Sequence, residues 1–129
     1  MWDKRDGLCV NDQADAELVW TKGGKGTVPR LFHHAWMGMV KASEHDARRT
    51  HPAQKPVAVM RWVLEWMRLA DGQGIVDPYC GSASTGVAAL EAGRSFIGIE
   101  REPAYLDGVV ERLTRAESSG VQVPMFGAR

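Results

Sequence analysis

Two cysteines in 129 residues, Cys9 and Cys80, are too few for a disulfide framework and match none of the usual zinc spacings. No apolar run approaches membrane-spanning length, and no secretory leader is recognisable, so an intracellular, reducing setting is the default. An excess of one charge is also lacking: 16 basic residues balance 16 acidic ones, and net charge therefore does not argue for nucleic acid. The G-x-G-x-x-G spacing of dinucleotide-binding folds is absent, as is a Gly-Lys pair followed by a hydroxyl residue, which excludes the common phosphate loop. There is no internal repeat and no low-complexity tract. What remains is an ordinary balance, 44% hydrophobic and 25% charged, in a chain long enough for one modestly stable domain.

Secondary-structure patterns sharpen along the chain. Residues 1–15 are polar and turn-rich, opening abruptly at Met1-Trp2-Asp3-Lys4 as if inside a fold. Residues 17–21 and 28–33 read as two strands of an antiparallel hairpin with a long glycine-rich loop. Residues 41–55 read as a charged loop, with Trp36, Met37 and Met39 as core. Pro56 suits the first turn of a helix, and Val57, Met60, Val63, Leu64 and Met67 recur at helical spacing up to a stop near Asp71-Gly72. Trp62 and Trp66 share a face of that helix and read as packing. A short buried strand (74–77), a small-residue turn (78–84), a helix (85–92) stopped by Gly93, a strand (95–100) and a helix (103–116) follow. The tail, 117–129, reads as loose. Strands alternating with helices predict an α/β fold with parallel pairing and right-handed crossovers.

Chemistry concentrates at three places. Asp77-Pro78-Tyr79-Cys80-Gly81-Ser82-Ala83-Ser84-Thr85 follows a strand and opens a helix, where open parallel sheets bind ligands. Its small residues allow close backbone approach, and helix N-terminal amides can meet a carboxylate. Glu100, at the end of the next strand, can accept hydrogen bonds from both ribose hydroxyls of a nucleoside. Taken singly, the first is also an ordinary tight turn and the second an ordinary solvated strand end. Together they favour an adenosine-containing cofactor. The third place, His51-Pro52-Ala53-Gln54-Lys55-Pro56, is on its own more in keeping with a stiff helix-entry turn. Lys22, Lys25, Arg30, Lys41, Arg48, Arg49, Lys55 and Arg61 make residues 22–61 basic, which suits phosphate contacts or simply a solvated loop.

The segment 51–116 resembles the C-terminal part of the amino-type DNA methyltransferases, which modify adenine N6 or cytosine N4. In the subgroup with permuted motif order, an H-P-x-Q-K-P element precedes an Asp-Pro-aromatic-x-Gly-Ser-Gly loop and an Ile-acidic strand end. Here those read His51–Pro56, Asp77–Thr85 and Ile99-Glu100. The upstream part, from Glu17 through Phe32–Trp36, is similar to phage-type members, so the resemblance covers nearly the whole chain. Ala83 departs from it, standing where the family usually has glycine. If that position needs a positive φ, alanine there weakens the cofactor site.

The resemblance implies a Rossmann-like methyltransferase fold, with residues 1–129 as one partial domain: a hairpin and target-side loop region (1–50), a cofactor-binding core (51–116) and the tail. It implies S-adenosylmethionine as cofactor. Asp77, Tyr79, Gly81 and Ser82 would line its methionine end, Ser84 and Thr85 would sit at the helix start, and Glu100 would hold the ribose. Gln54, Lys55 and Pro56 would close the other side, and His51 and Cys80 also count among the cofactor-binding residues. Cys80 and Tyr79 are equally open to a packing role. Double-stranded DNA would be the substrate, with Lys22, Lys25, Arg30, Arg48 and Arg49 as candidate contacts, in the cytoplasm of a bacterium or phage-infected host. The family's catalytic tetrapeptide, an Asp, Asn or Ser followed by Pro-Pro and an aromatic residue, does not occur in these 129 residues. A catalytic residue is therefore not expected in this chain, nor a metal. A central strand is expected to be lacking, and either a second chain, self-association or a non-catalytic role is implied.

Overall fold

A computed structural model describes residues 1–4, 16–20, 22, 30–37, 40–44 and 51–120. They belong to two compact units, residues 1–47 and 48–129.

In the first unit, β1 (Trp2–Asp3) lies between β2 (Ala16–Glu17) and β3 (Phe32–His33), antiparallel to the former and parallel to the latter. The hairpin expected between 17–21 and 28–33 is thus corrected: β1 separates the two segments. Trp2 explains the insertion. It is buried, its indole N–H donates to the His34 carbonyl at 2.9 Å, and its strand takes the edge the hairpin would have used. Leu18 and Trp20, expected in a strand, lie beyond β2 and are exposed. Residues 21, 28 and 29 of the expected hairpin, and Met39, lie outside the described residues. β4 (Trp36–Met37) pairs antiparallel with β5 (Val40–Lys41), so that only Lys41, the first residue of the expected charged loop, falls in a strand. Trp36 is buried as expected, and the Lys41 ammonium stands 5.1 Å from its ring centre.

The second unit runs α1 (Val57–Met67), β6 (Ile75–Asp77), α2 (Ser84–Glu91), β7 (Phe96–Gly98) and α3 (Pro103–Ser118). Strands β6 and β7 pair in parallel, so the α/β reading holds. Helix α1 stops four residues short of the expected end because Arg68 turns left-handed (φ 48, ψ 49) and its N–H closes back on the Glu65 carbonyl. No glycine marks that stop. Residues 117 and 118 of the expected loose tail continue α3, while 121–129 lie outside the described residues.

Helix α2 packs against both α1 and α3. Val57, Leu64, Ile75, Val87, Ala88 and Ala89 form the main core, and Cys80, Ala83 and Val109 a second cluster. Phe96 and Leu113 pack against both. Arg61 of α1 pairs with Glu91 of α2 at 2.5 Å. Arg94, entering β7, donates to the carbonyls of Leu69, Ala70 and Gln73 and so fixes the connection that leads into β6. Trp62 and Trp66 stack, with ring centres 6.4 Å apart.

Strand side chains alternate between faces. Ile75 and Phe96 turn toward the helices. Their neighbours Val76 and Ile97, directly paired across the ladder, are 63% and 62% exposed, and Ile99 continues the same apolar row. Parallel sheets ordinarily carry cover on both faces.

Candidate functional site

The bend between β6 and α2 lies at the carboxyl ends of the parallel strands. Asp77 begins it by accepting the Tyr79 N–H on Oδ1 at 3.1 Å, a local turn that lifts the chain out of the sheet. Cys80 then donates to the Ile99 carbonyl at 3.0 Å, which ties the bend to the end of β7. A second turn closes when the Ala83 N–H donates to the Cys80 carbonyl at 2.7 Å. Gly81 (φ 50) and Ala83 (φ 56, ψ 33) both take left-handed backbone in this stretch.

Glu100 faces the bend. Its Oε2 accepts the Gly81 N–H at 2.9 Å and its Oε1 accepts the Glu102 N–H at 2.8 Å. Each carboxylate oxygen has a second lone pair, so the group is held in one orientation with an acceptor on each oxygen to spare. The Glu102 N–H, acting against partial burial and aided by the Gly81 and Arg101 N–H groups and by the neighbouring His51, holds this carboxyl below the ordinary glutamate range. It is an anion at neutral pH.

The residues of the 51–56 turn approach the same bend. The His51 ring meets Tyr105 edge-on, centres 4.5 Å apart, and a Cβ built on Gly81 would touch the ring at 3.6 Å. The Ala53 N–H points at His51 Nδ1 at 3.1 Å, which holds the ring in place within the turn. Gln54 and Pro56 are buried, and the Lys55 carbonyl accepts the Ser84 hydroxyl at 2.6 Å. Pro56 itself is the residue just before α1, extended at φ −63, ψ 141.

Helix α2 begins without a side-chain cap, because Ala83 stands at its N-cap position. The first amides of a helix have no acceptor inside it. An acceptor for them must come from elsewhere.

The structure thus brings His51, Asp77, Gly81 and Glu100 around one bend. Tyr79 is also there, 90% exposed. The Cys80 thiol is buried beneath the bend, against Ala83 and Val109. Burial, then the Asp77 and Glu100 charges, push that thiol up, so it stays protonated. Ser82 and Ser84 are buried, their hydroxyls 3.3 Å apart, and Thr85 turns toward Met60 of α1. Arg112, from α3, donates to the Ser82 carbonyl and to the Ser84 hydroxyl. Sequence reading passed over Arg112 and Tyr105. The legible signal is that they share the inward face of α3 with Val109, Leu113 and Ala116, where a charged residue needs a partner. Of the candidate DNA contacts, Lys22 and Arg30 are exposed, while Lys25, Arg48 and Arg49 lie outside the described residues.

Ala83 lends itself to a test. The left-handed conformation costs a non-glycine residue about 1–2 kcal/mol. Glycine would relieve that, but would forfeit a buried methyl worth about 0.8 kcal/mol and gain unfolded-state freedom worth about 0.4–1 kcal/mol. Ala83→Gly should therefore move stability by less than about 1 kcal/mol, whereas Ala83→Val should destabilise by about 1–3 kcal/mol. Urea melts of the two variants check this, and a large gain from glycine would contradict the balance.

A bend after the first strand of a parallel pair, an acidic residue closing the second strand and a histidine-proline turn thus form one cluster at the carboxyl ends of β6 and β7. Comparison with known proteins gives the family. The profile of the DNA methylase family, the N6/N4 methyltransferases, matches residues 5–111, and the chain belongs to this family. It is 40% identical over 90 residues to the type II methyltransferase M2.LlaDCHI of Lactococcus lactis subsp. cremoris, covering 67% of this chain and 32% of that protein. It is 40% identical over 81 residues to the type II methyltransferase M2.DpnII of Streptococcus pneumoniae, covering 60% of this chain and 29% of that protein. The chain thus spans about a third of the length of these relatives. No helix among the described residues is long and apolar enough to cross a membrane, and no group of metal-binding side chains occurs among them.

Proposed function

We propose that this chain forms the S-adenosylmethionine-binding part of an enzyme that methylates an exocyclic amino group of a DNA base, adenine N6 or cytosine N4. One observation carries the reading: the Glu100 carboxylate is tethered to the Gly81 amide at the mouth of the bend, charged and with acceptors to spare. Such a group suits the two ribose hydroxyls. The uncapped start of α2 suits the carboxylate of the methionine end. Asp77, Tyr79, Gly81 and Ser82 line the bend between them, with Ser84 and Thr85 at the helix start and His51, Gln54, Lys55 and Pro56 on the opposite side. Cys80 serves by packing from beneath. The bound cofactor would supply an electrophilic methyl group.

An exocyclic base nitrogen is a weak nucleophile, since its lone pair is delocalised into the ring. It needs acceptors for its amino hydrogens and a flipped-out base held in line. The proline-proline tetrapeptide that meets this need in the family is not among these 129 residues. We therefore place it on another polypeptide stretch or chain, which would also supply a strand alongside β6 and cover for Val76 and Ile97. That same lack favours a second reading, a non-catalytic cofactor-binding subunit.

The test is transfer of labelled methyl groups into DNA, beside calorimetric titration with S-adenosylhomocysteine. The chain should bind the ligand and transfer nothing alone, and should transfer when mixed with the protein encoded next to it. Binding without transfer in any mixture favours the subunit reading. Failure of the folded chain to bind sinks both.

A further inference from the structure

We propose that Arg112 is a positioning residue that joins the two walls of the cofactor site, the bend 77–83 and the turn 51–56, into one pocket. This rests on the reading of that site as one for S-adenosylmethionine.

Arg112 lies on α3, 30 positions beyond Ser82 in the sequence. Its Nη1 donates to the Ser82 carbonyl and reaches the Ser84 hydroxyl at 3.3 Å. That hydroxyl spends its own proton on the Lys55 carbonyl, at 2.6 Å. A single line of hydrogen bonds thus runs from α3 through the first residue of α2 to the histidine-proline turn. Arginine suits the task because its guanidinium is planar, always charged and able to serve two acceptors at a fixed angle.

The electrostatics reinforce the geometry. The Ser82 carbonyl belongs to the same peptide group as the Ala83 N–H, which closes the turn onto Cys80. A cation on the oxygen of that peptide polarises its N–H and strengthens the turn. The bend is consequently gripped at both ends: an anion, Glu100, on the Gly81 amide, and a cation, Arg112, on the Ser82 carbonyl. Ser82 is buried, so losing the guanidinium would take away the side-chain donor to its carbonyl, while the Ser84 hydroxyl would keep only the neighbouring Ser82 hydroxyl as donor.

Arg112→Met and Arg112→Lys in the full chain test this, with Arg94→Ala as comparison. Arg94 also holds backbone carbonyls, but those of Leu69, Ala70 and Gln73. Two measurements are made well below the melting temperature: S-adenosylhomocysteine affinity, and hydrogen exchange at the amides of 81–85 and 53–55. Arg112→Met should weaken binding about tenfold or more and speed exchange in both segments together. Arg112→Lys, keeping the charge but not the fork, should fall between. Arg94→Ala should lower the melting temperature yet leave affinity within about twofold. The proposal is overturned if Arg112→Met binds like the parent, or if Arg94→Ala loses as much affinity, since the effect would then be general stability. Should the parent bind no S-adenosylhomocysteine, the cofactor reading falls. The exchange comparison then decides alone, and equal protection in parent and Arg112→Met rejects the linkage.

Discussion

Glu100→Ala is expected to weaken S-adenosylhomocysteine binding by about a hundredfold or more, because two charge-assisted hydrogen bonds to the ribose would go at once. The substitution also removes the acceptor of the Gly81 and Glu102 amides, so the bend should lose exchange protection at both. Glu100→Gln separates the two effects. It keeps one acceptor oxygen but offers an NH2 group to whichever amide faces the other side, so binding should be intermediate and the bend partly loosened. Calorimetry with exchange mass spectrometry checks both. Affinity unchanged in the alanine variant would remove the sugar from this position.

The pH dependence has a definite sign. Glu100 is held below the ordinary glutamate range in the folded chain, chiefly by the Glu102 amide. Its folded-state pKa is therefore lower than its unfolded one. Such a group contributes stability throughout neutral pH, and loses that contribution only as pH falls through the lowered folded value. Ligand affinity should thus be flat from neutral pH down into the ordinary carboxylate range where Glu100 is concerned, and should collapse only in stronger acid.

Gly86→Val should lower stability by about 3 kcal/mol and the melting temperature by about 10 °C. A Cβ at Gly86 would stand 2.5 Å from Phe96 Cε1 and 2.7 Å from Leu113 Cδ2. Side-chain ends often give way, but Phe96 cannot. The same Cε1 already lies 2.8 Å from where a Cβ on Gly98 would be, so the ring fills the gap between α2 and β7. Any retreat moves it into the sheet. The ring also joins the two core clusters, so a displaced Phe96 loosens the bend from below. Circular-dichroism melts measure the effect, and a variant melting with the parent would show that the ring has room after all.

Much of the second unit was legible because its signals are local. Helical spacing from Val57 to Met67, the small residues after Asp77 and the apolar stretch before Glu100 each report on neighbours within a few positions. The elements came out within a residue or two, except the end of α1, where a left-handed arginine stands in for the expected glycine. The first unit was less legible for the opposite reason. Its sheet pairs Trp2 with Phe32, 30 residues apart, and no local pattern says that a strand of two residues will slip between two others. The place of Glu100 beside the bend is legible because it closes a strand next to a recognisable turn. The place of Arg112 is not, since its partners are carbonyl and hydroxyl oxygens that any sequence could offer, brought to it by the packing of α3 on α2. Ala83 lay between: its departure from glycine was visible, and its left-handed backbone was not.

Glu100 is tethered by the protein's own Gly81 and Glu102 amides. If it holds the sugar, as proposed, the group is aimed by the fold itself, and its ordering cost falls on folding, not on association. Occupancy and melting then report on a single equilibrium. Ligand should raise the melting temperature in proportion to the logarithm of its concentration, and any distant substitution that softens the carboxyl ends of β6 and β7 should register as a faster off-rate before it registers as loss of helix.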